Sequence, residues 1–204
     1  MKPEPSESLP LMEDFLTLQG EGNFQGHLAY FIRLAGCDVG CVWCDVKESW
    51  PAEQHPVVPV EEMVMRAKNS GAPLVVVTGG EPAMYDLNNL TRAIKHEHLR
   101  THLETSGAYV ITGEWDWVCL SPKKFKNPEK SSYARADELK VIVYHPSDFA
   151  WAEKEAANVD TSCQLFLQPE WSKEKEMVPL IVDYIMKNPQ WRMSLQTHKY
   201  MNIP

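Results

Sequence analysis

From residue 28 onward, short apolar runs alternate with stretches of helical spacing, and no other feature restricts the fold as strongly. Residues 28–34, 74–78, 101–104, 117–121, 138–143 and 164–168 are short and rich in β-branched, aromatic and leucine side chains, as buried strands are. Between them, residues 60–69, 87–98, 146–157 and 172–187 carry amphipathic helical spacing, and Gly71 and Pro73 stop the first of these helices. Residues 192–196 suit a last short strand. Repeated strand–helix–strand order implies a mainly parallel sheet with right-handed crossovers. Six such units are too few for a closed eight-fold barrel, so the expected α/β fold is a partial (β/α)6-type barrel or a strongly curved open sheet. In either form the site is built by loops at the C-terminal ends of the strands. Those loops hold Cys37 to Cys44, Thr78-Gly79-Gly80-Glu81, Glu104-Thr105-Ser106-Gly107, Ser121-Pro122-Lys123 and Gln168-Pro169.

The chain of 204 residues is read as one domain, 1–204, with no linker, repeat or low-complexity tract. Residues 1–10 bring prolines and acids where a signal peptide needs an apolar core, and are expected to form a flexible leader to a cytoplasmic protein. No apolar run reaches the ~18 residues of a membrane span. A net charge of −8 argues against a nucleic-acid surface but not against a small anionic substrate in a locally basic pocket. Of five cysteines, three fall within eight residues and read as metal ligands. Cys119 and Cys163 sit in apolar stretches and read as buried structural thiols. Trp115, Trp117, Trp151 and Trp171 read as packing residues.

Cys37-x3-Cys41-x2-Cys44 places three thiolates on one short loop, and Gly36 and Gly40 let that loop wrap a bulky ligand. A closed structural zinc site needs four ligands. Three sulfurs suit a [4Fe–4S] cubane with one iron left open. His27 or His55 as a fourth ligand keeps zinc as an alternative.

With Trp43 before the third cysteine, and Gly79-Gly80-Glu81-Pro82 after a second strand, the pattern resembles the radical S-adenosylmethionine (SAM) superfamily. A narrower resemblance rests on Phe15-x-Thr17-Leu18-Gln19-Gly20-Glu21-Gly22, Gly26, Phe31-Ile32-Arg33-Leu34 and Gly36-Cys37. It continues through the polar loops to Trp191-Arg192-x-Ser194-x-Gln196-Thr197-His198-Lys199-Tyr200-x-Asn202-Ile203. These motifs span nearly the whole chain and resemble the 7-carboxy-7-deazaguanine synthase family of queuosine and 7-deazapurine biosynthesis. The resemblance implies a radical SAM barrel that contracts 6-carboxy-5,6,7,8-tetrahydropterin to 7-carboxy-7-deazaguanine and ammonia. It also implies a homodimer, bound Mg²⁺ and a flavodoxin- or ferredoxin-type reductant, and no catalytic side chain beyond the cluster and the SAM-derived radical.

The site residues carried over with the resemblance form three groups. Cys37, Cys41 and Cys44 would hold the cluster. Trp43, Cys44, Asp45, Gly80, Glu81, Ser106, Ser121, Pro122, Lys123 and Gln168 would line the SAM site. Leu18, Gln19 and Gly20 would offer backbone hydrogen bonds to the pterin, Glu21 would accept from its guanidine-like edge, and Arg33 would pair with its carboxylate. Thr78, His198 and the carboxylate of Pro204 complete the substrate set. Arg33 would be costly to bury unpaired, which favours a functional role; Lys123, beside Lys124 and Lys126, has a solvated basic patch as its plainer reading.

Val46 departs from the family pattern, in which threonine or serine is expected to offer a hydroxyl to Mg²⁺. Valine has no oxygen to offer, and Mg²⁺ requires oxygen ligands. A water, Ser49 or Asp45 could replace it, or the enzyme would work without a tightly held metal; weakened or altered Mg²⁺ dependence is the expectation. Two rival functions fit parts of the sequence: a radical SAM activase of a glycyl-radical enzyme, and a non-catalytic iron–sulfur regulator. The reductant and the fate of the product are not specified by the residues.

Overall fold

The computed structural model describes residues 7–204. Strands β1 (Ser8–Leu18) and β2 (Leu28–Leu34) form an antiparallel hairpin, with Leu18 opposite Leu28. The short β3 (Val57–Pro59) leads into helix α1 (Val60–Ser70), which Gly71 ends in a left-handed conformation. Then follow β4 (Leu74–Gly79), α2 (Asn88–His96), β5 (Arg100–Thr105), β6 (Trp117–Leu120) and α3 (Lys130–Tyr133). The chain continues through β7 (Glu138–Val143), α4 (Asp148–Ala156), β8 (Gln164–Pro169), α5 (Glu174–Lys187), β9 (Trp191–Met193) and α6 (Thr197–Met201).

Among the described residues nine strands share one sheet in the order β3-β1-β2-β4-β5-β6-β7-β8-β9, and from β2 to β9 every neighbouring pair is parallel. The mainly parallel α/β architecture is therefore the expected one. The antiparallel edge is not. Residues 8–10, assigned to a flexible leader, pair with Val57–Pro59, and Leu9 is only 1% exposed. Leu9 and Leu11 anchor this segment in the core, while Pro10, the acids and a register shift between Leu11 and Glu13 break the alternation that would have marked a strand. The rest of the leader, residues 1–6, lies outside the described residues.

Strand side chains alternate between two faces. Ile32, Val75, Val77 and Leu103 join the core under α1 and α2, and Leu139, Val141, Leu167 and Trp191 join the core under α4 and α5. Their neighbours in sequence point the other way, among them Arg33, Thr78, His102, Glu104, Lys140 and Gln168. Phe24, in the turn after β1, plugs the bottom of that inner face. It packs edge-on against Trp117 at 5.1 Å and beside His102 at 5.5 Å. The inner face is thus closed below and open at the strand C-terminal ends.

Candidate active site

A cavity of about 970 Å³ fills that open end, and every residue assigned to a cofactor or to substrate lines it. On one side lies the cysteine loop. Cys37, Cys41 and Cys44 are thiols in no disulfide. Burial pushes the Cys41 thiol up to about 11 and the Cys37 thiol upward as well. Iron coordination deprotonates such thiols outright. Among the described residues, no three His, Cys, Asp or Glu side chains are gathered closely enough to hold a single metal ion. A cubane takes each sulfur on a different iron, so a spread loop of three thiols fits it. The histidines named for a zinc alternative are engaged elsewhere: His27 Nδ1 lies 3.0 Å from the Phe24 carbonyl and His55 Nε2 2.7 Å from that of Glu48.

The loop after β4 presses directly on the cysteine loop. The Gly80 N–H donates to Leu34 O and the Glu81 N–H to Gly36 O, at 2.9 and 2.8 Å. A Cβ on Gly80 would stand 2.3 Å from Gly36 O, so only glycine permits this approach. Glu81, 1% exposed, accepts from the Thr105 and Ser106 hydroxyls and from the N–H groups of Ala83 and Ser106. Four internal donors occupy its carboxylate, which makes it the brace that ties the β4 loop to the β5 loop. Lys123 turns inward: its Nζ donates to Ser121 Oγ at 2.6 Å and stands 5.6 Å over the Trp43 ring. Burial lowers its pKa. Lys124 instead pairs with Asp148, and Lys126 with Asp38 at 2.8 Å. The three lysines serve three places, and the reading of a common solvated patch does not hold.

The opposite side of the cavity is made by the β1–β2 turn and the segment after β9. The main chain of Gln19 is consumed in the turn, donating to His27 O and accepting from the Gly26 N–H, and Gly20 O accepts from Thr197. The Gln19 N–H is thus already engaged, while its carbonyl keeps a second lone pair; its side chain donates to Glu104 Oε1 at 3.2 Å and accepts from the Glu21 N–H. Gly20 leaves room for His198, whose ring would lie 2.2 Å from an added Cβ. Burial lowers the His198 pKa. Pro204 O accepts from Thr17 Oγ1 at 3.1 Å. Arg33 is partly buried and paired: its Nε donates to Glu13 Oε1 at 2.7 Å and its guanidinium lies 5.9 Å from the centre of the Phe15 ring.

A model of the Radical SAM superfamily matches residues 31–117. The 7-carboxy-7-deazaguanine synthase of Flavobacterium psychrophilum is 58% identical over 201 residues, covering 98% of this chain and 95% of its own. That of Synechocystis sp. is 50% identical over 196 residues, covering 96% and 94%. The crystal structure of QueE from Escherichia coli matches with a TM-score of 0.85 at 30% identity, over 93% of this chain and 94% of that one. This chain belongs to the 7-carboxy-7-deazaguanine synthase family.

Within that family assignment, the residues around Val46 leave few oxygens to stand in for a hydroxyl. Ser49 is 1% exposed and donates its hydroxyl to Val46 O at 2.7 Å, so it is withdrawn from the cavity. Asp45 lines the cavity and pairs with Lys199 at 3.1 Å. Several cavity residues take places that the sequence reading did not assign to them. Lys140, inside an apolar strand, donates to Glu21 Oε2 at 2.5 Å and to Glu104 Oε2 at 2.9 Å. Gln196 donates to Glu21 Oε1 at 2.8 Å. Trp151 and Trp171, read as packing residues, line the mouth of the cavity. A lone lysine in the run Glu138-Leu139-Lys140-Val141 is the visible signal; its partners are not visible.

Proposed function

We infer that this chain is a 7-carboxy-7-deazaguanine synthase, a radical SAM lyase that contracts the ring of 6-carboxy-5,6,7,8-tetrahydropterin with loss of ammonia. Family membership over nearly the full chain carries this reading. The geometry supports it: cysteine loop and polar pterin-sized wall face each other across one cavity. Cys37, Cys41 and Cys44 would hold the [4Fe–4S] cluster. Trp43, Asp45, Gly80, Ser106, Ser121, Pro122, Lys123 and Gln168 form the SAM side, with Glu81 bracing it. When bound, the cluster and SAM supply one-electron cleavage that ends in removal of a hydrogen atom from the substrate.

The chain's own residues bind, orient and exclude water. Glu21 is the acceptor for the pterin's guanidine-like edge. Burial raises its pKa, but Lys140, Gln196 and His198 more than offset this and lower it to about 2, so it accepts at any working pH. Arg33, with only Nε hydrogen-bonded among the described residues, turns its remaining donors to the substrate carboxylate. Thr78, level with Arg33 across the β2–β4 ladder, adds a hydroxyl beside it. His198 and Pro204 close the wall. With no oxygen on Val46 and Ser49 engaged, Mg²⁺ would be held weakly, through water, substrate oxygens or Asp45. Homodimerisation, a flavodoxin- or ferredoxin-type reductant and a cytoplasmic setting complete the reading; no helix among the described residues is long and apolar enough to cross a membrane.

The test is anaerobic cluster reconstitution followed by incubation of the reduced protein with SAM and 6-carboxytetrahydropterin. Mass spectrometry is expected to detect 7-carboxy-7-deazaguanine. SAM cleavage without that product would overturn the substrate and leave the radical chemistry standing.

A further inference from the structure

The inner face carries a charge arrangement that the reaction does not by itself require. Lys140 is the residue around which it is built. Its side chain is 3% exposed, and its ammonium is shared by two carboxylates from distant elements: Glu21 from the β1–β2 turn and Glu104 from β5. Burial opposes the charge on Lys140, but Cys119, Glu104, Glu21 and Glu138 around it more than offset that, and its pKa lies well above the ordinary value. All three line the cavity, the carboxylates 17% and 16% exposed and the lysine between them the most buried. Gln19 links the two, accepting from the Glu21 N–H and donating to Glu104.

Glu138, deeper in the wall, has its own donors in the Asn23 N–H and Trp117 Nε1–H, and burial raises its pKa; one cation shared by Glu21 and Glu104 leaves negative charge uncompensated at the cavity wall. His102, next on the inner face of β5, does not supply it: burial lowers its pKa to about 4, so it is neutral at physiological pH. A buried ion cluster is no more stable than apolar packing of the same volume, so stability does not explain it. A ligand edge bearing adjacent N–H donors would complete it. Without the lysine, two carboxylates at this spacing repel, and one takes up a proton. A protonated carboxyl donates, and so welcomes an acceptor in the ligand.

We propose that Lys140 is a specificity-determining positioning residue, which holds Glu21 and Glu104 as paired acceptors and so commits the pocket to a 2-amino-4-oxopyrimidine edge over a 2,4-dioxo edge. This rests on the pterin reading above. It acts at the start of catalysis, in substrate selection, and touches none of the reacting atoms.

The experiment compares dissociation constants of two stable probes, 6-carboxypterin (2-amino) and 6-carboxylumazine (2-oxo), by anaerobic calorimetry on the cluster-reconstituted protein. The intact protein is expected to prefer 6-carboxypterin by roughly 10- to 100-fold, the range of one charge-assisted hydrogen bond gained or lost. In Lys140→Met the preference is expected to fall below about threefold, through weaker binding of 6-carboxypterin and equal or tighter binding of 6-carboxylumazine. Lys140→Arg, which keeps the charge and can fork to both carboxylates, is expected to restore it. Should Lys140→Met not fold, Lys140→Met/Glu104→Gln removes the repulsion and is expected to show the same lost preference. Retention of the preference in either Met variant would overturn the proposal and leave the pterin reading intact. Failure of the intact protein to bind either probe would overturn the pterin reading itself.

Discussion

Leu139 and Lys140 are adjacent in β7 and face opposite environments. Leu139 is fully buried among the aliphatic side chains beneath α4 and α5. Lys140 is almost as buried, but among carboxylates at the cavity wall. The same contrast repeats along the sheet: Leu103 beside Glu104, and Leu167 beside Gln168. One face of each strand holds the molecule together through apolar burial, and the other assembles polar groups whose desolvation is offset only when every partner is in place. Stability and selectivity are thus separated by one residue step, and substitutions on the two faces should fail in different ways.

The sharpest break is expected at the cavity rim. Cys41→Ser should abolish turnover and the visible absorption of the reconstituted cluster while leaving the far-ultraviolet circular dichroism of the apoprotein unchanged; a retained, active cluster would refute its ligand role. On the outer face, Leu139→Ala should cost about 2–5 kcal/mol in denaturant-induced unfolding, as buried leucines do, with ligand affinities at saturating folded protein unchanged.

A smaller effect is expected from His102, the inner-face residue whose ring nitrogens have no hydrogen-bond partner among the described residues. Its Nε2 lies 3.6 Å from Glu104 Oε1. Burial lowers its pKa from 6.5 to about 4, so the unfolded chain protonates first as pH falls. Stability from this residue is therefore present above pH 6.5 and lost as pH drops towards 4, by roughly 3 kcal/mol in all. Glu21, lowered from 4.5 to about 2, gives the same sign in a lower window: its contribution is present above pH 4.5 and lost towards pH 2. His102→Phe should remove the slope above pH 4.5, leave the lower one, and raise stability at pH 7 by about 1 kcal/mol, since no unsatisfied nitrogen remains. An unaltered slope between pH 5 and 7 would show that His102 is not its source.

The smallest effect concerns Val46. Turnover titrated with Mg²⁺ should respond weakly in the natural chain and more strongly, at lower Mg²⁺, in Val46→Thr. Equal and strong dependence in both would remove any significance from the missing hydroxyl.

Much of this molecule is legible in the order of its residues. Parallel strands buried on both sides read as continuous apolar runs, so β2, β4, β7 and β8 lie close to the bounds that the sequence predicts. The three cysteines are legible because loop ligands lie close in sequence. β1 is not, because a proline, acids and a register shift obscure its period while its pairing with β3 spans about 50 residues. The pairings of Arg33 with Glu13 and of Ser49 with the Val46 carbonyl are not legible for a related reason: residue type announces a polar group, but not the partner that already occupies it.

By itself, then, the sequence determined the α/β alternation, the cysteine loop and the family, all of which rest on patterns a few residues long. Only the tertiary structure decided which polar groups remain available. Glu81 is taken by Thr105 and Ser106, and Lys140 by Glu21 and Glu104. Such pairings join residues up to 119 positions apart. A short-range pattern carries no record of them, because the energy that selects them arises only when the two groups leave water together.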